Sequence, residues 1–91
     1  MLTFEIPPRL DATNAPEVEA QLLGIIAAQQ PKLLVCDFAA TVYISSAGLR
    51  VMLVTAKKVK QNGAALQLHN MQEGVAEVFK LSGLHNILDI R

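Results

Sequence analysis

Tryptophan is absent from the sequence, tyrosine occurs once and phenylalanine three times, so there is little of the aromatic surface that lines ligand clefts. Cysteine occurs once, at Cys36, which excludes an internal disulfide. Its neighbours Leu33, Leu34, Val35 and Phe38 place it on an apolar strand, where a thiol fills space and does not react, and a reducing compartment fits. Net charge is absent as well: eight Lys and Arg balance eight Asp and Glu. The one basic cluster, Lys57, Lys58 and Lys60, is short, and without a broad basic surface the chain lacks the electrostatic footprint that binds DNA or RNA. No apolar run approaches the ~18 residues that span a bilayer, and no basic stretch followed by an apolar one opens the chain. The expectation is a cytoplasmic protein without nucleic-acid or membrane partners.

What is present is aliphatic. Hydrophobic residues make up 52% of the 91, enough for one core and too few for two, so residues 1–91 read as a single domain. Strand-like and helix-like segments alternate without repeats or linkers, which predicts an α/β fold. Leu2 to Ile6 reads as a strand ended by Pro7 and Pro8. Asn14-Ala15-Pro16-Glu17 reads as a helix start, with Asn14 as N-cap and Glu17 reaching back to it. Val18, Leu22, Ile25 and Ile26 then form one stripe of a helix ending near Gln30, ahead of Pro31.

Leu33 to Phe38 is the next strand, apolar enough to lie centrally. Leu49, Met52, Leu53, Ala56 and Val59 mark a second helix, started by Ser45 or Ser46 and stopped at Asn62-Gly63. Ala65 to His69 is a third strand. Asn70-Met71-Gln72-Glu73 repeats the capping pattern before a helix carrying Val75, Val78 and Phe79. Gly83 stops that helix, Leu84 folds back on Phe79, and Ile87 to Ile90 reads as a closing strand.

Chemistry is sparse. His69 and His85 have no sequence-near Cys, Asp or His at metal-ligand spacing, and no metal or cofactor is expected. The carboxylates Glu5, Asp11, Glu17, Glu19, Asp37, Glu73, Glu77 and Asp89 are scattered as caps and solvated faces, with no acid–base pair among them. A P-loop lysine and a Gly-rich fingerprint are missing, so an enzyme is not expected. Two features remain: Arg9-Leu10-Asp11 before the first helix, and Tyr43-Ile44-Ser45-Ser46-Ala47-Gly48-Leu49 at the turn into the second. Small polar residues and a glycine at a helix N-terminus expose backbone N–H groups and the positive end of the helix dipole, which favour an anion such as phosphate. Taken alone, the same residues are simply a good N-cap.

Three elements together resemble the STAS domain family, whose stand-alone bacterial members are anti-sigma factor antagonists. They are Arg9-Leu10-Asp11-Ala12 with Asn14-Ala15, then Asp37 followed by Ile44-Ser45-Ser46-Ala47-Gly48-Leu49-Arg50-Val51-Met52-Leu53, and Leu81-Ser82-Gly83-Leu84. The resemblance implies a mixed sheet of about four strands with flanking helices. It also implies that the turn into the second helix docks onto a serine kinase of the histidine-kinase-like ATPase fold that doubles as an anti-sigma factor. In the family, phosphorylation of a serine in this turn breaks that complex and a PP2C-type phosphatase restores it. The implied partner-binding residues are Asp11, Ser45, Ser46, Ala47, Gly48, Leu49 and Arg50.

Family members often read Asp-Ser-Ser-Gly here, the second Ser being the acceptor. Alignment on Gly48 puts Ser45 at the Asp, Ser46 at the first Ser and Ala47 at the acceptor. Ser46 is therefore the first choice for phosphorylation and Ser45 the second. Alanine at the usual acceptor position also fits an alternative, a constitutive accessory subunit on the ATPase of a lipid-transport ABC system. Many relatives carry an extra leading strand and a C-terminal helix that this sequence lacks, and a monomer is expected.

Overall fold

Two consecutive prolines decide how the first strand is used. The computed structural model describes all residues from Met1 to Arg91. In it β1 (Leu2–Glu5) pairs in parallel with β3 (Leu33–Asp37), and the Ile6 N–H adds a bond to the Asp37 carbonyl. Pro7 and Pro8 have no N–H, so that ladder stops. The chain re-pairs one step further on: β2 (Arg9–Leu10) forms a second parallel ladder with β4 (Tyr43–Ile44).

Thr41 spans the gap between the two ladders. Its hydroxyl lies 2.9 Å from the Pro7 carbonyl oxygen and 3.2 Å from that of Ile6, while the Val42 N–H donates to the Pro8 carbonyl at 2.8 Å. The carbonyls that the prolines leave without a strand partner are thereby satisfied, as buried polar groups must be.

The rest follows the alternation of the sequence. After α1 (Ala15–Gln29) comes β3, after α2 (Ser46–Gln61) comes β5 (Ala65–His69), and α3 (Glu73–Leu81) leads to a 3-10 turn at Leu84–Asn86. The main sheet has the order β1-β3-β5, entirely parallel. Both crossovers step the same way across it, so right-handed connections put α1 and α2 on one face, where they pack against each other. Leu34, Cys36 and Phe38 of the central segment meet Val18, Leu22 and Ile26 of α1 and Val51, Met52 and Val59 of α2 in one core. Phe79 of α3 closes it edge-on against Phe38, ring centroids 5.9 Å apart. No helix is long and apolar enough to cross a membrane.

The α/β unit with a helix-flanked sheet is as expected. In detail, the mixed sheet of about four strands is divided into two ladders, both parallel. The closing strand expected at Ile87 to Ile90 is reduced to one parallel bridge, Leu68↔Ile90, because the chain first turns through Leu84–Asn86 and leaves Ile87 exposed. Three local expectations are also corrected. Asn14 sits at the N-cap position but makes no cap bond, its side chain being held by Arg9 and Asp11 instead. Asn70 is not a cap: it takes a left-handed conformation at the end of β5 and donates to the Asp37 carboxylate, and Gln72 occupies the cap position. The buried face of α2 runs through Gly48, Val51, Met52, Thr55 and Val59, which turns Leu53 outward at 38% exposure.

Thr41 and Thr55 are both fully buried. Thr55 donates to the Val51 carbonyl, an acceptor its own helix already uses, whereas Thr41 serves carbonyls of another segment. Thr41→Val is expected to cost about 1–3 kcal/mol and Thr55→Val less than about 1 kcal/mol in urea unfolding. Equal effects would show that the bridge across the prolines is not needed.

Candidate functional site

The β2–β4 ladder brings together two sequence features that lie more than thirty residues apart. Its register sets Arg9 beside Tyr43 and Leu10 beside Ile44. The Leu10 carbonyl then accepts the Ser45 N–H at 3.0 Å, so α2 starts directly on top of the corner that leads into α1. Only glycine fits where the two meet. A Cβ on Gly48 would lie 2.7 Å from both the Leu10 carbonyl oxygen and Ile44 Cγ1, and 2.9 Å from Leu10 Cγ.

The corner is organised by Asp11. Its carboxylate accepts the Thr13 N–H and hydroxyl, its N–H donates to Asn14 Oδ1, and its carbonyl accepts the N–H groups of Asn14 and Ala15. The Arg9 guanidinium stands 3.4 Å from the same carboxylate and 4.6 Å from the centre of the Tyr43 ring. The bonds from Thr13 first, and the charge of Arg9 after them, hold the Asp11 carboxyl below the ordinary carboxylate value.

The two serines have different surroundings. Ser45 is the N-cap residue, in extended conformation, and its hydroxyl is buried without a hydrogen-bond partner, so the expected cap bond is not made. Ser46, the first residue of the helix, is exposed. Ala47 is half-buried and, with Arg50, borders a shallow groove shared with Ala12, Pro16 and Glu19 of the corner and α1. Leu49 is half-buried. Arg50 is exposed, makes no ion pair and lies one helical turn beyond Ser46; the first turn holds no acidic residue. The structure therefore gathers Asp11, Ser45, Ser46, Ala47, Leu49 and Arg50 around one surface, whereas Gly48, expected among the partner-binding residues, is buried against Leu10 and Ile44. It gives Asp11 mainly an internal task.

Other reactive groups lie elsewhere. Burial pushes the Cys36 thiol up to about 12, so it is not a thiolate near neutral pH. His69 bonds Gln67 on the sheet. Val42, which the sequence gives no reason to single out, is 61% exposed beside the turn, next to Tyr43 at 44%. No period-two alternation announces them: Thr41 and Ile44 are buried and the two residues between them are exposed.

The family model for the STAS domain matches residues 1–91. The chain is 36% identical over 81 residues to a Bordetella bronchiseptica protein assigned as the anti-sigma factor antagonist BtrV, covering 89% of this chain and 69% of that protein. It is 34% identical over 89 residues to the anti-sigma-B factor antagonist of Bacillus subtilis, covering 98% and 80%. Among solved structures, the Bacillus cell fate determinant SpoIIAA in its phosphorylated form superposes with a TM-score of 0.73 at 17% identity, covering 98% of this chain and 80% of that one.

Gly48→Ala is expected to destabilise the fold by about 1–3 kcal/mol through overpacking, although alanine is the better helix former. Gly24→Ala, in α1 with nothing within 4 Å of the added methyl, is expected to stabilise by about 0.5–1 kcal/mol. Denaturant midpoints moving the same way in both would show that α2 does not rest on Leu10. Acid titration tests the corner. A depressed folded-state pKa gives Asp11 a stabilising contribution that is complete above the unfolded value of ~3.9 and lost as pH falls through the folded value. The stability gap between the wild type and Asp11→Asn should be constant above that value and shrink below it; a gap that widens in acid would contradict the assignment.

Proposed function

The chain belongs to the STAS domain family, and from that premise we propose that it is an anti-sigma factor antagonist, a binding protein that acts as a phosphorylation-controlled switch. The observation that carries this reading is the pair of serines at the start of α2: the Ser46 hydroxyl is open to a kinase, while that of Ser45 is enclosed. The partner is a serine kinase of the histidine-kinase-like ATPase fold that doubles as an anti-sigma factor, and a PP2C-type phosphatase removes the phosphate. The docking surface comprises Asp11, Ser45, Ser46, Ala47, Leu49 and Arg50, with Gly48 buried beneath it and seating the turn on Leu10. That SpoIIAA has been solved phosphorylated supports a fold that carries the modification intact.

The physics runs in two directions. A phosphate on Ser46 brings about −1.5 to −2 charges to a surface that docks a partner, where desolvation and nearby carboxylates oppose it. Within the chain the same phosphate meets the unpaired N–H groups of the first turn and the guanidinium of Arg50, which favour it. Modification therefore weakens the complex and leaves the fold standing. A second reading, the constitutive accessory subunit of a lipid-transport ABC ATPase, draws on Ala47, a half-buried alanine where relatives often carry the acceptor serine.

Ser46→Asp is expected to lower kinase affinity by more than about tenfold in calorimetry, with an unchanged melting temperature. Ser46→Ala should bind normally and take no phosphate from the kinase. Undiminished binding by Ser46→Asp would overturn the switch at this residue. Retention of a transporter ATPase by both wild type and Ser46→Asp, in affinity capture from native cytosol, would install the second reading.

A further inference from the structure

The charges of this neutral chain are unevenly divided among its helices. Four of its eight Lys and Arg lie on α2, at Arg50, Lys57, Lys58 and Lys60, and none of its eight Asp and Glu do. The neighbouring α1 carries Glu17 and Glu19 and no cation. At ~100° per residue, Ser46, Arg50, Leu53, Lys57 and Lys60 fall within ~80° of arc and form one stripe ~21 Å long. All five are exposed, and the buried face of Gly48, Val51, Met52, Thr55 and Val59 lies opposite them.

Helix stability does not account for this stripe. Lys58 and Lys60 lie in the last turn, where the helix dipole favours cations. Arg50 stands near the other end, and Lys57 and Lys60 are like charges three residues apart, which oppose each other on a helix surface. No cation of α2 makes an ion pair; the ion pairs of the chain are Arg9–Asp11 and Arg91–Asp89. Leu53, 38% exposed, places an apolar side chain amid the charges.

We propose that this stripe extends the docking surface along α2 and seats an acidic face of the partner kinase, with Leu53 as its apolar contact. The inference rests on the proposed switch and names the chemistry of the surface that the switch engages. Continuity is one support: Ser46 and Arg50, already on the docking surface, are the first two of the five residues. Charge is the other. Cations without internal partners are complementary to carboxylates, and a phosphate on Ser46 opposes the same carboxylates that Arg50, Lys57 and Lys60 attract. The stripe thereby explains why modification releases the partner. Lipid fits less well, because the apolar face of α2 is committed to the core and cannot insert. Nucleic acid fits less well too, since four cations in a chain of zero net charge do not make a broad basic surface. Being exposed, these charges act chiefly on association rate and salt dependence.

Calorimetry and stopped-flow association of the intact protein with the kinase, between about 50 and 500 mM salt, test the stripe. Wild-type affinity is expected to fall as salt rises. Lys57→Glu, at an exposed mid-helix position, should weaken binding about threefold to tenfold at low salt, through slower association, and most of that loss should vanish at high salt. Lys57→Gln should show a smaller loss of the same sign. Lys80→Glu makes the same charge change in the last turn of α3 and should bind within about twofold of wild type. Ser46→Asp in the same series separates this proposal from the switch. If Ser46→Asp loses affinity while Lys57→Glu matches the wild type at every salt, the stripe is overturned and the switch stands; if the wild type does not bind the kinase, both fall. A loss with Lys80→Glu equal to that with Lys57→Glu would reduce the effect to net charge and overturn the stripe. So would Lys57-dependent binding to duplex DNA or to phosphatidylglycerol vesicles that is tighter than binding to the kinase at about 150 mM salt.

Discussion

The constraint on which the structure depends is the loss of two consecutive N–H donors at Pro7 and Pro8. A parallel ladder cannot continue past them, and a buried segment with unpaired carbonyls is costly, so the chain needs a different partner there. Thr41 and Val42 provide it. The consequence reaches the functional surface: shifting the pairing from β3 to β4 places the Leu10 carbonyl under Ser45 and Gly48, and with it the first turn of α2 against the corner before α1. Had β1 simply run on, Asp11 and Ser46 would have had no reason to share a surface.

That arrangement explains why the turn is made of small residues. Gly48 is small because the Leu10 peptide and Ile44 leave no room for a methyl group, and this requirement is steric, independent of any partner. Ser45 is half-buried, and its hydroxyl is shut off from solvent without a partner. Ser46 and Arg50, by contrast, reach solvent and carry no internal bond or ion pair. Inward and outward residues thus share one short segment, and under the proposed function a modification at the outward ones need not disturb the inward ones.

Much of the fold was legible in the sequence because it rests on periodicity. The helices at Ala15–Gln29 and Ser46–Gln61 and the strands β1, β3 and β5 lie where apolar spacing, prolines and Gly63 place them. What escaped was pairing. Arg9–Leu10 and Tyr43–Ile44 are two-residue strands whose existence depends on each other and on the proline gap, and no local pattern announces that. Asn14 and Asn70 misled for a related reason: an asparagine that fits a cap is equally able to bond a neighbouring loop, and tertiary contacts with Arg9 and Asp37 decided the matter. At the candidate site, the segment at residues 45–50 stands out in the sequence by turn chemistry and family resemblance, and the structure shows where it lies. That Asp11 spends its carboxylate on Thr13 was not, since the bond depends on the corner already being folded.

The electrostatics of the surface fit a switch better than a fixed joint. The corner beside the turn holds its charges in fixed geometry: the Asp11 carboxylate is hydrogen-bonded by Thr13 and paired with Arg9, and Arg9 is stacked on Tyr43. The first turn of α2 has no carboxylate, and Arg50, one turn beyond Ser46, makes no ion pair, with Glu19 of α1 on the same groove. Within the chain, a negative charge at Ser46 would face the N–H groups of this turn and the Arg50 guanidinium. A site arranged the other way, with acidic residues in the first turn, would place a penalty on the fold itself. Under the proposed function, this distribution of charge lets a modification at Ser46 act on a bound partner and leave the chain folded.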